Sequence, residues 1–178
     1  MHTITQHSLR GPSTHVLGMA LDWRPDPRAR PLAAALAYWN SLALAGLPKR
    51  SDLSPRAMLP FLTLVQIYQM APGGGSFTIR LMGTGVRPIF DRDMTGETIE
   101  RPWPDALDNS TLLSRRMFAV FDALRVEPAP VLASVPRTVI DKLHGQPLAT
   151  LFLPLSSDGL SVDMVLAVTD VPNGMSAS

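Results

Sequence analysis

Arg80-Leu81-Met82-Gly83-Thr84, followed by Phe90-Asp91-Arg92-Asp93-Met94-Thr95-Gly96, is the stretch on which the fold turns. Phe77, Ile79 and Leu81 alternate with Thr78, Arg80 and Met82, the period-two pattern of a strand. Gly83 and Gly85 break that strand. Val86 to Phe90 then leaves room for only a turn or so of helix, because Pro88 lacks an N–H. Asp93-Met94-Thr95-Gly96 makes a corner before the next segment. Strict alternation puts Ile79 and Leu81 on one face, and Arg80 and Met82 on the other. The more apolar set is Phe77-Ile79-Leu81, although sequence leaves open which face is inner.

Upstream, Pro72 to Ser76 forms a glycine-rich hairpin loop that joins this strand to an earlier one over 62–70. Asp52 to Leu59 reads as a short helix, with Ser54 as N-cap and Pro55 in its first turn. Pro31 opens a longer helix in which Leu32, Leu36, Trp39 and Ala43 recur until Gly46. That helix is almost uncharged and must pack, either on its own sheet or on a second copy. Residues 1–30 are polar and proline-rich, an extended tail in which Leu17, Met19, Leu21 and Trp23 hint at one short strand. Trp23 is a candidate anchor for it.

Downstream, Asp108 or Asn109 caps a long helix with Leu113, Met117, Phe121 and Leu124 on one face. Pro128 and Pro130 end it. Three strands follow over 131–143, 147–155 and 160–170, turning at His144-Gly145-Gln146 and at Ser156 to Gly159. Residues 172–178 read as a disordered tail. The order argues an α+β fold, with an antiparallel sheet and helices on one face.

The chain has 178 residues, 46% of them apolar and 17% charged, which fits one globular domain. A net charge of +1 with no basic stripe argues against a nucleic-acid reader. The absence of cysteine excludes disulfides, thiolate metal sites and cysteine nucleophiles. No secretory h-region opens the chain and no apolar run is long enough for a bilayer, so the expected location is cytoplasmic, away from membranes.

Tyr38-Trp39-Asn40-Ser41-Leu42, Leu47-Pro48-Lys49-Arg50-Ser51-Asp52-Leu53-Ser54-Pro55 and Leu59-Pro60 stand upstream of the opening stretch. In that order and spacing, from about Pro31 to about Asp170, the chain resembles the PAS-like family of small alphaproteobacterial proteins (the PAS_5 type). The resemblance implies a single domain over 31–171, a five-stranded antiparallel sheet with helices on one face, and an added N-terminal helix. It implies a stand-alone sensory or regulatory module without catalytic activity of its own. Such a module binds a small apolar ligand or a signalling client protein, and forms a homodimer through the helix over 31–45. Its ligand cleft would be lined by Phe90, Trp103, Met117 and Phe121 from the helical side, and by Arg80 and Met82 from the strand. Arg80 has two readings: a guanidinium clamp for a carboxylate or phosphate, and, weighted first, a strand pair with Asp163 or Asp141.

No catalytic motif stands out: there is no Gly-x-Ser-x-Gly elbow, P-loop or His-Glu-x-x-His. His2, His7 and His15 fall in the tail and His144 in a turn, a poor set for a haem or a metal, and the cofactor stays unassigned. Asp91-Arg92-Asp93 resembles the start of a calcium loop, but Gly96 and Glu97 fall at the wrong positions. Two other classes stay open. One is a small isomerase-like or cyclase-like enzyme drawing its acid and base from Asp91, Asp93, Asp141 and Asp163. The other is a structural interaction protein with a filled core.

Overall fold

In this computed structural model, which describes residues 13–103 and 108–171, the chain opens with β1 (Ser13–Val16), β2 (Met19–Asp22) and α1 (Arg30–Leu42). β3 (Val65–Met70), β4 (Ser76–Met82), α2 (Arg87–Phe90) and β5 (Thr98–Glu100) follow. The last part holds α3 (Asn109–Val126), β6 (Val131–Val135), β7 (Leu148–Leu155) and β8 (Met164–Asp170). All the strands join one antiparallel sheet in the order β1-β2-β6-β7-β8-β3-β4-β5.

The sheet therefore has eight strands, not five. Two of the additional strands come from the segment read as an extended tail, which folds into a β1–β2 hairpin and pairs with β6. Its two-residue turn, Leu17-Gly18, has φ of 51° and 72°, the left-handed geometry that matches strand twist. Leucine rarely adopts that conformation, so sequence gives no turn signal there. The third is β5, whose three residues are too few to show a period. Trp23 donates its indole N–H to the Thr14 hydroxyl at 3.4 Å, holding the hairpin's open end. Residues 172–178, expected as a tail, lie outside the described residues.

Two apolar layers cover the sheet. On one face α3 stacks Phe118 and Phe121 against Phe77, with ring centroids 5.1 Å apart in each pair. On the other face α1 buries Leu32, Ala35 and Trp39 over Leu151, Leu153, Leu155, Leu166 and Val168. The N-terminal helix thus packs on its own sheet, and helices occupy both faces instead of one. Strands β7 and β8 are covered on both sides, which is why they read as nearly continuous apolar runs.

Two other expectations change. Asp52 to Leu59 forms a 3-10 turn over Arg50–Asp52 and then a run of turns, not a helix. Pro60, directly after the span, has no N–H and its ring crowds the carbonyl four residues back, so the first turn cannot extend into a helix. Ser54 still receives the Ala57 amide on its hydroxyl, at 3.4 Å. The strand expected over 131–143 stops at Val135, because Pro136 cannot continue the ladder.

Strand β4 carries a bulge that decides the site. Tyr68 pairs with Ile79 while Ile67 pairs with Leu81, so Arg80 is the unpaired extra residue. Beyond it the facing inverts. Leu81 packs on the α1 side and Met82 joins Ile79 on the α3 side. Gly83 follows immediately, where a Cβ would lie 2.3 Å from the Thr63 carbonyl oxygen. Among the described residues, no helix is long and apolar enough to cross a membrane.

Candidate functional site

Between α3 and the inner sheet face lies a cavity of about 120 Å³. Phe77, Ile79 and Met82 of β4 and Phe152 of β7 form its floor. Ile89 and Phe90 of α2, and Leu113, Ser114 and Met117 of α3, form its roof. Phe90, Met94, Ile99 and Leu113 are among the lining residues that are only partly buried, on the side of α2, α3 and the corner. None of the described lining residues is charged. A cavity of about 150 Å³ admits benzene, so this one takes a molecule of that order, far short of a haem or a flavin.

One end of the cavity is polar. Tyr68 donates its hydroxyl hydrogen to the Gln66 side-chain oxygen, and Gln66 Nε2 donates to Thr169 Oγ1 at 2.8 Å. The Thr169 and Thr150 hydroxyls bond each other at 3.1 Å. Gln66, Tyr68 and Thr169 are 5%, 6% and 4% exposed. Burial pushes the Tyr68 hydroxyl pKa far up, so the ring stays neutral. The second amide hydrogen of Gln66 and the lone pairs of the Tyr68 oxygen have no partner among the described residues.

The Asp-x-Thr-Gly corner holds the cavity's edge. The Thr95 hydroxyl donates to Asp93 at 2.6 Å and accepts the Met82 amide hydrogen at 3.1 Å. Gly96, at φ 93°, donates its N–H to the Ile79 carbonyl at 2.7 Å. These contacts tie the loop to both ends of the bulge and seat Met94 in the cavity wall. Hydrogen bonds from the Thr95 hydroxyl and N–H lower the Asp93 pKa, helped by Arg87 at 2.9 Å.

The sequence-derived site residues divide. Met82, Phe90 and Met117 line the cavity. Phe121, 1% exposed, sits behind it in the aromatic cluster with Tyr68 and Phe77. Trp103 is 84% exposed and does not reach it. Arg80 stands exposed on the bulge, with no ion pair to a described residue. The pair with Asp163 or Asp141 does not form: Asp163 instead accepts the Ser157 amide at 2.8 Å. Arg80 and Met82, which strict alternation puts on one face, part because the bulge at Arg80 adds one residue.

Gln66, Tyr68, Thr150 and Thr169 were missed. A glutamine inside an apolar strand was the available signal, since an unpaired buried amide is costly.

Asp91, Asp93, Asp141 and Asp163 lie outside the cavity lining and do not converge. Asp91 pairs with Lys142 at 2.8 Å. Among the described residues, no three of His, Asp or Glu gather to hold a metal, and His2 and His7 lie outside those residues.

A smaller cavity of about 60 Å³ shares Met117 with the first and is bounded by Arg116 and Met19. Arg116 donates from Nε to the Leu17 carbonyl at 3.0 Å, linking α3 to the β1–β2 turn.

No curated protein and no solved structure matches the chain. The family model of the PAS domain (PAS_5) matches residues 28–169, from just before α1 to the end of β8, and the chain belongs to that family.

Proposed function

We propose that this PAS-family protein is a sensory or regulatory module that takes a small molecule into the cavity between α3 and the sheet. The observation that carries the reading is the cavity itself: apolar walls, a buried polar end, and α3 as a wall. A filled cavity would bias the position of α3. Arg116 would pass that bias to the β1–β2 hairpin, where a client protein or second copy reads it. The apolar stripe of α1 is spent on its own sheet, so a second copy would use a surface other than that stripe. A cytoplasmic location and the lack of catalytic activity belong to the same reading.

The test combines ligand release with hydrogen exchange. Denaturing the purified protein is expected to release a stoichiometric small molecule. Its removal should raise amide exchange in α3 and in the β1–β2 hairpin together. Release of nothing, with unchanged exchange in a Leu148→Phe variant that fills the cavity, would overturn the reading.

A further inference from the structure

We infer that the cavity selects a compact, uncharged amphiphile of roughly phenol's size, one whose single polar group is read by Gln66 and Tyr68. This rests on the ligand-binding reading above and narrows it to a chemical class.

Three observations converge. The volume of about 120 Å³ sets the size. The described lining residues carry no charge that would neutralise an ion, and moving a carboxylate or ammonium group there would cost far more than apolar contact returns. The polar end has spare capacity in both senses. Gln66 offers one amide hydrogen to a ligand oxygen, and the Tyr68 oxygen accepts from a ligand hydroxyl. A hydroxyl-bearing ring satisfies both, and an all-carbon ring of the same shape leaves both unmet. Holding Gln66 between Tyr68 and Thr169 fixes its amide before any ligand arrives, which reduces the ordering cost of binding.

The test is calorimetric titration of the whole chain with phenol, toluene and benzoate, on wild type and on Gln66→Met and Tyr68→Phe. Phenol should bind and benzoate should bind at least ~100-fold more weakly. The phenol-to-toluene affinity ratio should fall about tenfold in Gln66→Met and less in Tyr68→Phe. Toluene binding should persist in both variants, which shows that the cavity has survived the substitution. Benzoate binding within tenfold of phenol, or a ratio unchanged in both variants, overturns the inferred class while leaving the sensory reading standing. Should none of the three probes bind while purified protein still releases a small molecule, the class is wrong. Should none bind, nothing be released and Leu148→Phe leave amide exchange unchanged, the sensory reading fails with it.

Discussion

Trp39 on α1 donates its indole N–H to the Pro154 carbonyl on β7 at 2.8 Å, inside an otherwise apolar layer. That bond fixes the rotation of a helix that has no side-chain N-cap and no charged residue in its last turn. Trp39→Phe keeps most of the packing and loses the donor, so a cost of about 1 kcal/mol is expected. Trp39→Ala also opens a cavity beneath the helix, and about 3–5 kcal/mol is expected. Urea denaturation of the two variants separates the bond from the packing. Equal losses would assign the whole effect to the bond, and a Trp39→Phe variant as stable as wild type would assign it to packing.

Gly83 is constrained by backbone and not by side chains. Its N–H donates to the Val65 carbonyl at 2.7 Å, and a Cβ would meet the Thr63 and Val65 carbonyl oxygens at 2.3 and 2.9 Å. Neither oxygen has a rotamer by which to move aside. Gly83→Ala should therefore destabilise the fold by about 1–3 kcal/mol, as overpacking does. Thermal denaturation checks this, and a stability equal to wild type would mean that the β3–β4 junction yields freely.

Two exposed carboxylates make stability depend on acid. Thr95 hydrogen bonds hold the Asp93 pKa down, and the Ser161 and Leu160 amides do the same more strongly for Asp158. A folded pKa below the unfolded one, about 3.9, means stability fully present above that value and lost as pH falls through it toward the folded pKa. Relative to Asp158→Asn, wild type should hold a constant advantage near neutrality that fades below about pH 5. The Asp158 advantage should persist in 1 M salt, since backbone donors and not an ion pair create it. Asp93, with Arg87 beside it, should lose part of its own. Urea midpoints across pH in both salts decide this.

What was legible in the sequence followed periodicity and turn chemistry. Pro31 and Gly46 bracket α1 and its terminal 3-10 turn, Asp108 caps α3, and the glycine turns join β3 to β4 and β7 to β8. Period fails where one residue is inserted or where a segment is too short. The bulge at Arg80 reversed the facing of the next two residues, and β5 has only three. Within the site, Met82 and Phe90 were legible as apolar residues flanking the corner, and Met117 from the apolar face of α3 together with the family resemblance. The polar end was not, because Gln66, Thr150 and Thr169 come from three strands, and only the sheet order brings them together.

Arg80 offers a direct contrast with that polar end. It stands next to the Gly-Thr corner in sequence, yet the bulge leaves it exposed and without an ion pair to a described residue. Arg80→Ala should change stability by less than about 0.5 kcal/mol. Phenol affinity should match wild type. A large loss of phenol binding in Arg80→Ala would return the guanidinium to the site.

Met117 lines both cavities, as do Leu113, Leu148, Thr150 and Phe152. An unbranched thioether is a deformable wall. Met117→Ala should merge the spaces and lower stability by about 1–2 kcal/mol, less than the ~2–5 kcal/mol of a fully buried site because this side chain is half-buried. The merged cavity should accept 2-naphthol, which wild type excludes, while Gln66 and Tyr68 still read its hydroxyl. Titration with 2-naphthol and phenol on both proteins measures the change. Equal 2-naphthol affinity in the two would show that Met117 already moves aside in wild type, and that the smaller cavity contributes to the ligand's space without any substitution.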